Sequence, residues 1–407
     1  MDVSTLRDEA RDQLDDAIEL RRRLHQWPEI GNDLPKTRDA VLESLEGLPL
    51  QITRHTTTSG IAAVLDGGKA GPTVLLRGDM DALPMPEDTG EDFSSRVDGA
   101  MHACGHDTHT AMLVGAAKML ASRQADLPGR VLFMFQPGEE GHDGAEHMLN
   151  EGLLDLPARA SGEASPITAA YALHITSMLP SGVVATRHGP LMASADSVLI
   201  TVTGRGGHAS APHMALDPIP IACEIVQSLQ LMVTRRINVF DPGVITVGRI
   251  TAGTTNNVIP ETAEIEATLR AVSEATRKQL HDGIRRVAEG IAAAHDAQVD
   301  VDMRPGYPVT VNDHAGAAFA LETGRQLLGK DKVVEMPYPV MGAEDFSYVL
   351  QRLPGAMCFL GATHPDRNLA TAAPNHSNRV VFDESAMVEG MTMYSALALR
   401  HLSPGEN

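Results

Sequence analysis

Short apolar runs alternate with helical patterns through the first part of this 407-residue chain. The runs read IAAVL, PTVLLRGDMD, RVLFMFQPGEE and AAYALHI, and the helical pattern TAMLVGAAKMLASR lies between the second and the third. Continuous apolar runs of this length are typical of strands that are covered on both faces, as in a parallel sheet. The alternation predicts an α/β domain with a mainly parallel sheet, whose polar residues gather beyond the carboxyl ends of the strands.

The pattern changes between about Ser194 and Pro305. A strand, a helix, two strands, a helix and a strand follow one another there, and this βαββαβ order is the ferredoxin-like unit. Elements of the first type then resume. We therefore predict one discontinuous domain of residues 1–190 and 306–407, with a second domain of residues 191–305 inserted into it.

The charge and the cysteines restrict the kind of partner. The chain has 53 acidic and 33 basic residues and a net charge of -20, which disfavours binding to nucleic acid or to an anionic membrane. It shows no export signal and no run long enough to span a bilayer. Cys104, Cys223 and Cys358 are an odd, widely spaced set that favours a reducing compartment. We expect a cytoplasmic protein that acts on a small molecule.

The segment MHACGHDTH holds a cysteine among three histidines, within reach of one metal ion. Further ligand types stand in FQPGEE, ALHI and PNHS, each at the end of a short apolar run or in the loop after it. Carboxylate, imidazole and thiolate together suit Zn, Mn, Co or Ni better than Mg or Ca. The candidate residues are Cys104, His106, Glu139, Glu140, His174 and His376.

Eight motifs in a fixed order connect the chain with a known family. It resembles the M20 metallopeptidases, in particular the amidohydrolase branch with hippurate hydrolases, N-acyl-amino-acid amidohydrolases and auxin-conjugate hydrolases. The resemblance covers nearly the whole chain, and it implies a catalytic, metal-binding first domain and an inserted lid or dimerisation domain. The motifs are LRGDMDALPM, MHACGHDTHTAMLVGAAKML, FQPGEEGHDGAEHM, ALHI, GRGGHASAPH, TTNNVIPE, MGAEDF and PNHS.

Carried over residue by residue, the resemblance implies a centre of two divalent metal ions. Glu139 matches the general base, and Asp81 matches the acidic residue that orients a metal-binding imidazole. Asp79 stands where related peptidases carry a histidine, and Cys104 replaces the ligand lost there. We expect Asp79 itself to be a turn residue or a neighbour of the ligands. The implied ligands are Cys104, His106, Glu140, His174 and His376.

The resemblance also assigns residues of the inserted domain. His208 and Asn257 match groups that steady the carbonyl oxygen of the substrate. In the family His208 usually reaches the site of the other subunit, which implies a functional homodimer. Arg270 is a candidate for pairing with the substrate carboxylate, because a guanidinium offers a bidentate fork. An exposed strand charge is an equally good interpretation of Arg270.

The expected reaction is hydrolysis of an N-acyl amino acid, such as hippurate, by a metal-activated water with Glu139 as general base. A dipeptidase or carboxypeptidase could use the same centre. A third hypothesis makes Cys104 a nucleophile with a histidine as base and needs no metal. A binding protein that kept only the fold is disfavoured, since Glu139 and every implied ligand are present.

Overall fold

The structure, a computed structural model, describes residues 5–159 and 162–403 and divides into two compact units. The first contains Met1–Gly189, Val311–Tyr338 and Tyr348–Asn407, and the second contains Pro190–Thr310 and Pro339–Ser347. The second unit thus includes a short segment, 339–347, for which the sequence predicts the first domain. In the described ranges no helix has both the length and the apolar character needed to span a membrane.

The chain starts with helices and continues with strands and helices of the first unit, in the order α1 (Leu6–Asp12), α2 (Leu14–Gln26), α3 (Pro35–Ser44), β1 (Leu50–Arg54), β2 (Ile61–Asp66), β3 (Lys69–Asp79), α4 (His106–Ala121), β4 (Pro128–Gln136), α5 (Gly144–Asn150), β5 (Ile167–Pro180) and β6 (Val184–Thr186). The chain then passes into the second unit through β7 (Gly189–Met192).

The second unit contains β8 (Asp196–Thr203), β9 (Gly207–His208), α6 (Pro218–Arg236), β10 (Gly243–Ala252), β11 (Val258–Ile259), β12 (Thr262–Ala271), α7 (Glu274–Ala294) and β13 (Gln298–Arg304). The chain returns through β14 (Thr310–Asn312). The remaining elements are α8 (His314–Leu328), β15 (Val333–Glu335), α9 (Ser347–Leu350), β16 (Gly355–Thr363) and α10 (Met387–Leu402).

The described residues of the first unit form an eight-stranded sheet in the order β1-β2-β4-β3-β5-β16-β6-β15. The central strands β4, β3, β5 and β16 pair in parallel. Antiparallel pairs join β1 to β2, β2 to β4 and β16 to β6. The predicted α/β class is confirmed, with a mixed sheet whose centre is parallel.

Parallel pairing brings the carboxyl ends of β3, β4 and β5 to the same edge of the sheet. Asp79, which ends β3, is the register partner of Gln136, which ends β4. Arg77 of β3 is aligned with Ala172 of β5, so Asp79 and His174 each lie two residues beyond this pair. The polar motifs therefore meet at one edge of the first unit.

Helix α4 carries part of this edge into the core. Nearly all its residues are buried, and only Lys118 and Ala121 are partly accessible. After its polar start the helix is apolar on nearly all sides, as is typical of a helix inside a protein, and α4 packs against α2, α10 and β3. His106, its first residue, is therefore fully buried.

The second unit has the predicted βαββαβ order. Four of its strands pair antiparallel in the order β10-β12-β8-β13, and both helices, α6 and α7, pack on this sheet. Alternate residues of β12 are buried, as expected for a strand with one covered face: Ala263, Ile265, Ala267 and Leu269. The ferredoxin-like prediction is confirmed for this unit.

A buried carboxylate ties the ends of the second unit to its last helix. Asp196, which begins β8, accepts hydrogen bonds from Arg277 (2.6 Å), from His281 (2.9 Å) and from the Gly306 N–H (2.9 Å). Burial opposes ionisation, but these hydrogen bonds outweigh it and hold the pKa of Asp196 well below its usual range. The ionised carboxylate of Asp196 thus connects the start of β8 and the segment after β13, near the two ends of this unit, to α7.

Candidate metal centre

The centre is built around the turn Cys104-Gly105-His106 that begins α4. Gly105 has φ +87, and a Cβ atom there would lie 2.4 Å from Cγ2 of Ile175. Only glycine meets both the left-handed backbone and the lack of space. The turn therefore places a thiol and an imidazole, separated by one residue, in the same buried region.

Two donor groups meet at Cys104. In one, Cys104, His106 and His174 bring their ligand atoms within 4.8 Å of one another, and in the other Cys104, Glu140 and His376 do so. Cys104 Sγ lies 3.3 Å from His174 Nε2, and Glu140 Oε1 lies 3.1 Å from His376 Nε2. The structure thus brings all five implied ligands together, with one sulfur common to both groups.

The orientation of the His174 ring is fixed by a hydrogen bond to the backbone of the next residue. Its Nδ1 donates a hydrogen bond to the Ile175 carbonyl at 2.7 Å. Burial lowers the pKa of His174 well below its usual range, so the ring is neutral and its Nε2, on the Cys104 side, carries a lone pair. A metal-binding histidine is usually oriented in this way.

His106 gives the clearest test of whether these residues fit a metal. Both of its ring nitrogens are buried, and neither has a hydrogen-bond partner among the described residues. The nearest carboxylate oxygens lie at 3.4 Å (Asp81) and 3.5 Å (Asp79). Buried polar atoms without partners are costly, and a metal ion on the side shared with Cys104 gives one nitrogen a partner.

The electrostatics of the cluster favour bound positive charge. Hydrogen bonds with Cys104 and Glu140 raise the pKa of His376 to about 10, against the opposing effect of burial. Burial and the Glu140 carboxylate raise the pKa of the Cys104 thiol. A divalent cation bound here would take the place of the proton on His376 and would stabilise the thiolate form of Cys104.

His376 itself sits in an unusual backbone conformation. It has φ +67, which is rare for a residue other than glycine, and its N–H donates to the Ala103 carbonyl at 2.9 Å. Backbone strain of this kind persists where the surrounding contacts enforce it, often at functional sites. Here it directs the imidazole towards Glu140.

Asp81 holds the neighbouring pair of glutamates. Its two carboxylate oxygens accept the N–H groups of Glu139 (2.9 Å) and Glu140 (3.0 Å). Its Oδ1 also faces His106 Nδ1 at 3.4 Å. The buried carboxylate of Glu139 forms a further donor group with His106 and Glu140. Asp81 is therefore placed between an imidazole and both glutamates.

Asp79 belongs to a second buried network under the centre. Arg77 donates to its Oδ2 at 2.6 Å, and His109 Nδ1 donates to its Oδ1 at 2.5 Å. The Ile175 N–H donates to Nε2 of His109 at 2.6 Å. These bonds engage both oxygens of Asp79 and both nitrogens of His109, and the two residues form one more donor group with His106.

The sequence did not reveal the part played by Asn375. Its side-chain nitrogen donates to the carbonyls of Cys104 (3.2 Å) and Ile175 (3.0 Å), and its oxygen accepts the Ser177 N–H (3.2 Å). It thereby joins segments that carry Cys104, His174 and His376. Only its position beside His376 in PNHS could have drawn attention to it.

The remaining predicted residues lie in the second unit. His208 and Asn257 are exposed neighbours, because β9 pairs with β11 and the Ala209 N–H donates to the Asn257 carbonyl. Nδ1 of His208 accepts the Ser210 N–H at 3.1 Å. Arg270 is half-buried on β12, and burial lowers the pKa of its guanidinium.

Thiol, imidazole and carboxylate groups, the ligand types that first-row divalent metals prefer, thus gather at the carboxyl edge of the α/β sheet and define a candidate metal-binding site. Residues 75–400 match Peptidase family M20/M25/M40, and the chain belongs to this family. It is 36% identical over 402 residues to thermostable carboxypeptidase 1 of Saccharolobus solfataricus, covering 98% of both chains. It is 36% identical over 395 residues to IAA-amino acid hydrolase ILR1-like 4 of Arabidopsis thaliana, covering 96% of this chain and 87% of the relative.

A solved structure extends the likeness to the fold. The YXEP protein of Bacillus subtilis, described as a dinuclear metal-binding peptidase from the M20 family, superposes with a TM-score of 0.82 at 32% identity. The match covers 96% of this chain and 99% of that protein. With the donor groups around Cys104, this supports a divalent metal centre here.

Proposed function

We propose that this chain hydrolyses the amide bond of N-acyl amino acids, releasing a carboxylic acid and an amino acid. The observation that carries the proposal is the sharing of Cys104 by two donor groups, one fully buried and one that reaches the exposed His376, with the Glu139 carboxylate close to His106 and Glu140. The name of the plant relative, an IAA-amino acid hydrolase, supports an amino acid conjugate as substrate. The proposed ligands of the two ions are Cys104, His106, Glu140, His174 and His376.

In the proposed reaction the bound ions act as Lewis acids, and side chains of the protein transfer the proton and orient the reacting groups. Bound divalent ions, for which Mn, Zn, Co and Ni are the candidates, supply Lewis acidity to the substrate carbonyl and to the attacking water. A carboxylate oxygen of Glu139 accepts the proton of that water and delivers it to the departing amide nitrogen. Asp81 keeps Glu139 in place through the backbone N–H and orients the imidazole of His106.

Residues of the second unit are proposed to bind the substrate. Because Nδ1 of His208 accepts the Ser210 N–H, its Nε2 is the ring nitrogen that can donate a hydrogen bond to a carbonyl oxygen. Asn257, its exposed neighbour, has an amide that can donate as well. Donors of this kind are worth a few kcal/mol each in the transition state. Arg270 is proposed to pair with the substrate carboxylate.

We also propose that the chain works as a cytoplasmic homodimer, in which His208 serves the partner's site. Its exposed ring supports the idea, and Cys104, Cys223 and Cys358 form no disulfides. Mixing a Glu139→Gln protein with a His208→Ala protein tests the dimer, because mixed dimers would contain one intact site. Two inactive proteins that recover no turnover after subunit exchange would argue against a shared site.

A carboxypeptidase or dipeptidase is the second candidate, and the archaeal carboxypeptidase relative favours it. The two functions separate in kcat/KM for N-benzoylglycine and N-acetyl amino acids compared with matched dipeptides that have a free amino group. We expect the acylated substrates to be preferred by about tenfold or more, or about 1.4 kcal/mol. Preference for the dipeptides would move the assignment to the second candidate.

The metal-independent cysteine hydrolase is disfavoured by the environment of Cys104. The thiolate is the nucleophilic form, and reactive cysteines lie in electropositive surroundings that lower their pKa. Burial and the nearby Glu140 carboxylate instead raise the pKa of Cys104. A buried thiol of this kind is a poor nucleophile and a good ligand once a cation is present.

A further inference from the structure

A buried ionic network lies directly behind His106. Asp107, the next residue of α4, is fully buried, and its Oδ2 lies 2.8 Å from Nε of Arg21 and 2.8 Å from Nδ1 of His25. Both partners come from α2 and are almost inaccessible to solvent. The network, defined as Arg21, His25, Glu87 and Asp107, therefore joins two helices at the residue that follows a proposed ligand.

The network continues into the loop between β3 and α4. His25 Nε2 lies 3.2 Å from Glu87 Oε1, and Glu87 accepts the Ser95 N–H at 2.7 Å. On the other side, Arg21 Nη1 lies 3.2 Å from Glu384, which precedes α10. One chain of contacts thus fixes α2, the start of α4, and the loop that leads to Cys104.

The network places basic side chains beside acidic ones. Burial opposes the charge on His25, but Asp107 and Glu87 outweigh it and raise the pKa of His25 above its usual value. Arg21 and His25 thus both lie beside carboxylates: Arg21 contacts Asp107 and Glu384, and His25 contacts Asp107 and Glu87. Buried ion pairs seldom stabilise a fold more than apolar side chains of similar volume do, and their attested use is to specify one arrangement. The arrangement specified here includes the first turn of α4.

The motif LHQWPE, at the end of α2, contains His25 of the network and also Glu29, which makes contacts of its own. Glu29 accepts the N–H groups of Lys36 (3.2 Å) and Thr37 (2.8 Å) at the start of α3. Its carbonyl accepts the Ala82 N–H at 2.8 Å. Through hydrogen bonds and ion pairs, the motif thus connects the end of α2 to the start of α3, to Ala82 and to the start of α4.

We propose that Arg21, His25 and Asp107 are positioning residues for the metal centre. They touch no ligand atom in the contacts described above, and they act by holding the backbone of residues 106 and 107. In this way they keep the imidazole of His106 close to the ligand atoms of Cys104 and His174. The inference rests on the proposed metal centre, and it predicts that the network sets metal affinity and coordination geometry. Outer contacts of this kind typically change metal affinity by 10- to 100-fold.

The test compares His25→Leu with His25→Asn in the full chain, loaded with Co²⁺. The asparagine amide can still donate to Asp107, whereas leucine cannot. We measure the Co²⁺ dissociation constant by competition with a chelator, the visible absorption spectrum of the bound ion, and the free energy of unfolding of the metal-free protein. His25→Leu should weaken binding by about tenfold or more and alter the spectrum, and His25→Asn should restore both in large part.

Arg130→Leu is the matched control. It removes another buried ion pair, with Asp66, at the start of β4 and thus at the opposite edge of the sheet. It should lower stability and leave Co²⁺ affinity and spectrum unchanged. If His25→Leu behaves like this control, the network is structural only and the inference is wrong. If His25→Leu does not fold, Glu87→Gln, which changes only the outer carboxylate, gives the same comparison.

The outcome for wild-type protein separates this inference from the proposed function. Co²⁺ bound by Cys104 should give a thiolate-to-metal absorption band that Cys104→Ser abolishes. Absence of that band in wild-type protein would contradict the proposed metal centre itself. A normal wild-type band combined with an unchanged His25→Leu band would contradict only the positioning role.

Discussion

Replacing Glu139 by glutamine should reduce kcat for an N-acyl amino acid by about 10²- to 10⁴-fold, the usual contribution of a general base. The amide is nearly isosteric with the carboxylate but cannot accept a proton from the attacking water. Bound metal should remain at the wild-type level, because the proposed ligand of this pair is Glu140 and the Glu139 N–H that Asp81 holds is unaltered. Steady-state kinetics and elemental analysis of the same preparation measure both quantities.

Glu46→Gln provides the control for this experiment, since Glu46 is exposed beyond the end of α3. It should leave turnover and metal content unchanged. Full turnover by the Glu139→Gln protein would show that another group accepts the proton. Loss of metal together with turnover would instead make Glu139 a ligand.

The substitution Cys104→Ser should weaken metal binding more than any other single ligand change. The sulfur belongs to both donor groups, so its loss affects both ions, whereas loss of His174 or His376 affects one group. A neutral hydroxyl is also a much poorer ligand for these metals than a thiolate. We expect at least a 100-fold loss of affinity for Zn²⁺, measured by competition with a chelator, and a comparable loss of turnover.

Cys223→Ser is the matched control, because Cys223 lies exposed on α6 of the second unit. Its metal affinity and turnover should equal those of wild type. A Cys104→Ser protein that retains two tightly bound ions would contradict the shared-ligand geometry. Retained metal with abolished turnover would revive the nucleophile hypothesis for Cys104.

The sequence was sufficient to predict the class of fold and the ligand candidates because both depend on local patterns. Strands β3, β4 and β5 are short apolar runs, and parallel pairing brings whatever follows them to one edge. That rule alone gathers Asp79, Glu140 and His174. The remaining candidates follow from the residue types in CGH, GEE and PNHS, which are common metal ligands, so no distances are needed to choose them.

The supporting network could not be predicted in the same way. Asp79 and His109 are hydrogen-bonded although 30 residues separate them in the sequence, and Asp107 and His25 are hydrogen-bonded across 82 residues. Such pairs depend on how helices pack, which no periodicity encodes. The antiparallel pairing of β6 with β16 was likewise hidden, because a three-residue strand carries too little pattern to show its direction.

The most direct test of the account is turnover of N-benzoylglycine or an N-acetyl amino acid as metal-free protein is titrated with Zn²⁺, Mn²⁺, Co²⁺ or Ni²⁺. The account predicts no turnover without metal and, for at least one of these ions, turnover that rises and saturates near two equivalents per chain. Full turnover after exhaustive chelation, abolished by alkylation of Cys104, would contradict it.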